Sequence, residues 1–307
     1  MNPTPLVSVV IPTYNRAHLI EESIKSVLDQ TFDDWELIIV DDGSDDNTEQ
    51  VVQRIKNPKI HYYKLAHCGL LGKVRNYGIK IARGNYIAFL DSDDLWRKDK
   101  LALQLDFFDK YDIHFTLSNV SHFGESVTVQ PPTVGKPFVG DLFLPLIFEQ
   151  RLVSYMQSFL VKKEVFGGIE MFNESFRSGA DVDFAYRMAL RFRGGFSNER
   201  LVAIRKHDSG MSLKYKEIAY LEDLKIVGNF FAQKALSKKQ YHALASARYY
   251  KLGLICLKKD DHKKSFDYFL KYTALRPFSH RGWIRLLQTF LKKLFGKTTA
   301  AARARGK

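Results

Sequence analysis

The chain has 307 residues, 45% hydrophobic and 26% charged, which is enough for one full-sized globular domain and a smaller appendage. No apolar run reaches the roughly 18 residues of a membrane span, and the N-terminus lacks the basic-then-apolar pattern of a signal peptide. Its two cysteines, Cys68 and Cys256, have no metal-ligand spacing, which excludes a disulfide framework and fits a reducing, cytoplasmic setting, while a net charge of +13 leaves nucleic acid, anionic lipid and phosphate-bearing substrates all open as partners.

In chain order, Val7–Ile11 is a β-branched run stopped by Pro12. From His18 to Gln30 the apolar residues Leu19, Ile20, Ile24, Val27 and Leu28 follow helical spacing. Trp35 to Val40 reads as a second strand, closed by Asp41-Asp42-Gly43-Ser44. Asp46, with Glu49 three residues on, has the form of a capping box opening a helix to about Ile55. Ile60 to Lys64 is a third strand, Lys73 to Ala82 a helix and Tyr86 to Leu90 a fourth strand. Repeated βα units of this kind predict an α/β fold with a mainly parallel, Rossmann-like sheet flanked by helices. Ligands of such sheets bind at the carboxyl ends of the strands. Three polar clusters fall there: Thr13 to Arg16, Asp41 to Ser44 and Asp91 to Asp94. Residues 113 to 210 are less regular, with a Pro131-Pro132 loop, a Gly167-Gly168 break and a helix from about Asp181. After about residue 215 the pattern is helical to the end. The expected domains are therefore a unit over 1–214, with halves of about 1–112 and 113–214, and a helical extension over 215–307.

Asp91-Ser92-Asp93-Asp94 closes the fourth strand with three carboxylates. They repel one another unless a cation or a set of donors holds them. Asp-x-Asp spacing lets two carboxylates converge on a hard divalent ion such as Mg²⁺ or Mn²⁺. The alternative is that Asp91 and Ser92 cap a helix starting near Leu95.

Val7 to Asn15 (VSVVIPTYN), Asp41-Asp42-Gly43-Ser44, Arg75-Asn76-Tyr77-Gly78-Ile79 and Phe89 to Asp94, in this order and spacing, resemble the inverting family-2 glycosyltransferases with the A-type fold. The resemblance covers roughly residues 5 to 210. It implies a metal-dependent transfer of a sugar from a nucleoside diphosphate, with UDP favoured, to an acceptor hydroxyl. By that resemblance Pro12, Thr13, Tyr14, Asn15 and Arg16 form a nucleotide loop in which Tyr14 stacks on the base. Asp42 accepts from the uracil N3–H, and Lys73 and Arg75 lie beside the nucleotide. Asp93 binds Mn²⁺ or Mg²⁺ directly, Asp91 contacts the ribose or a metal-bound water, and Ser92 lies between them. Gly179-Ala180-Asp181-Val182-Asp183 resembles the segment in which a Glu-Asp pair precedes a helix carrying an arginine, here Arg187. Asp181 matches the general base, Asp183 is its rival, and Ala180 departs from the family glutamate. His207, within Arg205 to Ser212, resembles a residue that reaches the metal or diphosphate.

In the extension, Gly253, Ser265, Phe269 and Pro277 have offsets resembling one tetratricopeptide-like unit. Trp283, Ile284, Leu287, Phe290, Leu291 and Leu294 recur at helical spacing, with Arg281, Arg285, Lys292 and Lys293 mostly on other faces. Such a helix can lie in an anionic membrane interface or pack its apolar stripe on the helical hairpin. Residues from Thr298 are small and basic and read as disordered. Together these features point to a lipid-linked saccharide or polysaccharide acceptor and a peripheral position on the inner membrane face. The competing reading is a non-catalytic nucleotide-binding or scaffold protein on a degenerate transferase fold. Nucleic acid is not expected as a partner, because the basic residues lack an interleaved aromatic platform.

Overall fold

A computed structural model of the chain describes residues 4–124, 137–148, 155–206 and 215–304, with side chains to residue 292. The chain divides into two compact units, residues 1–214 and 215–307.

The first unit opens with β1 (Val7–Thr13), α1 (Ile20–Leu28), β2 (Trp35–Asp41), α2 (Thr48–Arg54), β3 (Ile60–Lys64), α3 (Leu71–Ile81) and β4 (Tyr86–Phe89). β1 and β2 are buried at every position, as β-branched strands covered on both faces should be. β1 lies between β2 and β4, and β3 adds to β2, all parallel. The loops after β1, β2 and β4 therefore open on one edge.

Two local expectations fail. Pro12 does not stop β1, which continues to Thr13 opposite Asp41. The Val10 carbonyl accepts from Leu90 N on the β4 side. Pro12, two residues on, faces that same side beyond the end of the β1–β4 pairing, so its missing N–H costs no ladder bond. The expected capping box is not formed: Asn47 takes the N-cap position and makes no side-chain cap bond. Asp46 Oδ1 accepts from Thr48 N at 2.9 Å, but the Glu49 side chain accepts from Gln53 instead.

The unit continues through β5 (Leu95–Trp96), α4 (Lys100–Lys110), β6 (Phe115–Phe123), β7 (Phe138–Gly140), α5 (Phe143–Phe148) and a 3-10 turn over Met156–Ser158. β8 (Leu160–Lys162), α6 (Val165–Gly168), α7 (Ala180–Arg191) and β9 (Gly194–Arg205) complete it. Among the described residues the nine strands run β3-β2-β1-β4-β8-β6-β9-β5, with β7 on β9. β8 is antiparallel to β4 and β6, whereas β9 is parallel to β6. The unit is thus α/β, with a central sheet parallel through its first half. Asp91 and Ser92 cap no helix: Leu95–Trp96 pairs with Ala203 and Val202 as β5, and the next helix waits until Lys100. Pairing with a distant strand has overridden the local capping preference.

The second unit comprises α8 (Lys216–Ala232), α9 (Lys238–Lys258), α10 (His262–Leu275) and α11 (His280–Ala304). A capping box between Ser237 and Gln240 starts α9. α9 and α10 approach closely at Gly253, where a Cβ would lie 2.8 Å from the Phe269 ring, and Ser265 Oγ donates to the Gly253 carbonyl at 2.8 Å. α11 runs through the segment expected to be disordered. The alanines at 300, 301, 302 and 304 are the strongest helix formers, and that propensity outweighs the low apolar content.

Candidate functional site

The loop after β1 is tied to the loop after β2 by short-range chemistry. Asn15 adopts a left-handed conformation (φ 51°); its N–H donates to Ser44 Oγ at 2.8 Å and its side-chain oxygen accepts from Asp45 N at 3.0 Å. Arg16 N donates to Thr48 Oγ1 and Ala17 N to Asp46 Oδ2, both at 3.0 Å. Asp41, fully buried, accepts from Ser44 N and Oγ and from the Tyr62 hydroxyl. Pro12 and Thr13 are buried beneath this loop, and Tyr14 is 39% exposed above it. Asp42 accepts from Cys68 N at 2.9 Å and Gly69 N at 2.8 Å. Gly43 makes the turn possible: its φ is +77°, and a Cβ there would meet His67 N at 2.8 Å. The His67 ring stacks on Tyr14 with centroids 4.2 Å apart, and its Nδ1 lies 2.9 Å from Asp42 Oδ2. Tyr14, His67 and Asp42 form one aromatic and acidic corner. Lys73 is exposed on α3 nearby, where its charge acts on Cys68.

The Arg75-Asn76-Tyr77-Gly78 stretch of α3 joins the two halves of the unit. Gly78 lets the helix settle on β1, since a Cβ would lie 2.5 Å from Val10 Cγ1. Asn76 accepts from Phe172 N at 3.0 Å and donates to the Phe172 carbonyl and to Glu174 Oε1, each at 2.9 Å. Arg75 is fully buried, with its guanidinium over the rings of Phe89 and Phe172. It pairs with Asp91 Oδ1 at 2.7 Å and with Asp181. Asp181 and Asp91, distant in sequence, thus share one cation. Asp183 faces elsewhere and pairs with Arg187 at 2.7 Å within α7, while Arg187 also donates to the carbonyls of Glu170 and Met171. Gly179, not Asp181, occupies the N-cap position of α7. Ala180 is buried, its Cβ 3.3 Å from where a Gly72 side chain would begin.

The carboxylates after β4 are held by groups from distant elements. Gln157, on the 3-10 turn, donates to Asp91 Oδ2 at 2.5 Å and Asp94 Oδ2 at 2.6 Å. Arg205, at the end of β9, donates its backbone N–H to Asp94 Oδ1 at 2.8 Å and its Nε–H to the Asp93 carbonyl at 3.0 Å. Arg16 approaches Asp93 at 3.8 Å. Burial, opposed by Arg75 and reinforced by Asp93 and Asp181, pushes Asp91 up to about 6. Burial together with Asp91 and Asp93 pushes Asp94 up to about 8. Such a cluster is short of positive charge. Ser92 is buried beside it.

Among the described residues no three His, Cys, Asp or Glu side chains form a complete metal cage. Asp91 and Asp93, two hard oxygen donors in an electron-rich cluster, nonetheless fit a divalent ion that takes its remaining ligands from substrate phosphates, the usual mode for Mg²⁺. His207 lies outside the described residues, as does the Pro131-Pro132 loop.

The structure brings together Arg16, Arg75, Asp91, Asp93 and Asp181, and separately Tyr14 and Asp42. The sequence reading passes over His67, Gln157 and the backbone of Arg205. His67 follows β3, so the same strand-end rule that marks the other loops could have found it. Gln157 carries no local signal.

Residues 8–169 match the family described as Glycosyl transferase family 2. The chain is 39% identical over 137 residues to WfgD of Escherichia coli, a UDP-Glc:alpha-D-GlcNAc-diphosphoundecaprenol beta-1,3-glucosyltransferase, covering 43% of this chain and 54% of that protein. The chain spans about half the length of curated relatives such as this one. S. aureus TarS residues 1–349, solved with UDP-GlcNAc, superposes with a TM-score of 0.71 over 92% of this chain and 89% of that one, at 20% identity. A mannosyltransferase from Pyrobaculum calidifontis, solved with GDP-Man and Mn²⁺, gives a TM-score of 0.59 over 96% and 89% at 17% identity. These two structural likenesses show the fold alone, the A-type glycosyltransferase fold.

Proposed function

The chain belongs to glycosyl transferase family 2, and from that premise we propose that it moves a sugar from UDP to a hydroxyl of a lipid-linked saccharide, with inversion at the anomeric carbon. It is a glycosyltransferase; the donor base, acceptor and stereochemistry are the proposal. The observation that carries it is the Arg75 bridge, which sets Asp181 beside Asp91 at the end of β4. A base and a diphosphate-binding carboxylate must lie this close to serve one displacement.

Asp181 takes the proton of the acceptor hydroxyl as its oxygen bonds to the anomeric carbon. The bond from that carbon to the diphosphate oxygen breaks, and its electron pair leaves with UDP. No covalent sugar–enzyme intermediate forms. Asp93, with Asp91, would hold Mn²⁺ or Mg²⁺, which when bound offsets charge on the leaving diphosphate. Tyr14 offers a stacking face to the base, worth about 1–3 kcal/mol, and Asp42 an acceptor for the uracil N3–H. Pro12, Thr13, Asn15, Arg16, Lys73 and Ser92 line the nucleotide side. Arg75 acts mainly by positioning the two carboxylates.

Support for the acceptor class comes from the resemblance to WfgD, whose name specifies an undecaprenol-linked substrate. An acceptor of that kind places the enzyme on the cytoplasmic face of a membrane. The described residues include no helix long and apolar enough to cross one.

The experiment is release of nucleoside diphosphate from UDP-, GDP- and dTDP-sugars, with Mn²⁺ and with chelator, for the wild type and Asp93→Ala. UDP release that needs both the metal and Asp93 supports the reading. Full activity in Asp93→Ala sinks the metal assignment, and turnover of GDP- or dTDP-sugars alone sinks the UDP assignment.

A further inference from the structure

α11 presents three distinct faces at about 100° per residue. Gly282, Leu286 and Thr289 form the packed face: Leu286 is 8% and Thr289 0% exposed, and a Cβ at Gly282 would lie 2.6 Å from the Tyr272 ring of α10. Of the apolar stripe in the sequence, Phe290 borders this face and meets the Phe266 ring of α10 with centroids 6.0 Å apart, while the other stripe residues lie off it. Trp283, Ile284, Leu287, Phe290 and Leu291 lie within an arc of about 120° and are each between 43% and 59% exposed. Packing on the hairpin therefore does not account for the stripe. Just before the helix, Phe278 is 94% exposed. Arg281, Arg285 and Lys292 share a third face about 40° wide.

We propose that this helix docks on an anionic lipid bilayer. The row from Trp283 to Leu291, with Phe278, enters the boundary between headgroups and acyl chains, while Arg281, Arg285 and Lys292 meet anionic headgroups. Charge selects the occupant. After Asp267 the chain carries ten Lys and Arg and no Asp or Glu. A second copy of the same helix would set these cations against one another. A neutral protein groove would leave them without counterions. The Trp283 indole N–H already donates to the Pro277 carbonyl at 2.7 Å, so its ring enters an apolar phase with no polar group left to satisfy. The inference rests on the proposed lipid-linked acceptor for its purpose, since docking would hold the enzyme where such an acceptor resides.

The full chain is sedimented with vesicles of phosphatidylcholine alone and of phosphatidylcholine with phosphatidylglycerol, without donor or acceptor. The expected result is binding to the phosphatidylglycerol vesicles only, weakened by salt. Leu287→Glu should reduce binding at least ~10-fold, and Arg281→Glu and Arg285→Glu by about fivefold each. Leu287 and Arg281 are exposed, whereas Arg285 is half-buried and donates to Gln288, so thermal melting and UDP release from donor should not change in Leu287→Glu and Arg281→Glu. Absence of binding to either vesicle, or binding indifferent to Leu287→Glu, overturns the proposal. So does a dimer in light scattering that Leu287→Glu dissociates, which would assign the face to a second copy. UDP release is read separately, so a failure of docking is distinguishable from a failure of the transferase reading.

Discussion

The two halves of the first unit hold their functional groups by different means. In the β1–β4 half the loops are laced by bonds between neighbouring strand ends: Asn15 to Ser44 and Asp45, Arg16 to Thr48, and Asp42 to Cys68 and Gly69. Most are bonds between backbone N–H groups and short polar side chains, and parallel pairing alone brings those loops together. In the later half, pairing is mixed, the short β5, β7 and β8 lie against the long β6 and β9, and the Asp181 side chain meets one buried guanidinium from α3. The first arrangement is redundant; in the second, one arginine holds both carboxylates that the proposed reaction uses. On the proposed reading, the nucleotide loops would tolerate the loss of one bond, whereas the relation of Asp181 to Asp91 runs through Arg75, backed by the Asn76 bonds to Phe172 and Glu174.

The sharpest way to break that contrast is at Asp181. Asp181→Asn keeps the shape and removes the base, and should lower transfer by ~10²–10⁴-fold while calorimetric binding of UDP-sugar changes little. Asp183→Asn, at the rival position locked to Arg187, should lower the melting temperature and leave transfer within about tenfold, the size of a positional effect rather than of a lost base. The reverse pattern would move the base to Asp183.

Arg75→Lys comes next. A lysine keeps the charge but lacks the planar fork that spans Asp91 and Asp181. Breaking a buried ion pair costs roughly 3–5 kcal/mol; with Asp91 28% and Asp181 24% exposed, the loss should sit at the lower end. Urea unfolding would show it, and transfer should fall alongside. An unchanged midpoint would mean the later half has a second support.

The smallest effect compares two glycines. Gly78→Ala would drive a methyl to 2.5 Å from Val10 Cγ1 and should cost ~1–3 kcal/mol by overpacking. Gly167, in the later half, has nothing within 4 Å of its added carbon, so Gly167→Ala should be neutral or stabilising by ~0.4–1 kcal/mol. Equal urea midpoints for the two variants would erase the distinction between a closely packed and an open position.

The alternation of β-branched runs with amphipathic helices, interrupted by Asp-Gly and Asp-x-Asp turns, made β1 to β4 and their loop edge legible from sequence, because burial on both faces and turn chemistry are written in adjacent residues. So were the four motifs and the helical character of the C-terminal stretch. Four things were decided only by tertiary structure. Pro12 is tolerated in β1 because the neighbouring strand has already ended there. Leu95 and Trp96 form a strand because a partner from the far end of the unit is at hand. Asp181 and Asp183, two residues apart, meet different arginines, one on α3 and one on their own helix. The apolar row of α11 faces outward because a glycine, a leucine and a threonine supply a closer fit to the hairpin. Local sequence carries propensity and turn chemistry, but pairing between distant residues depends on which surfaces the packed chain brings into reach.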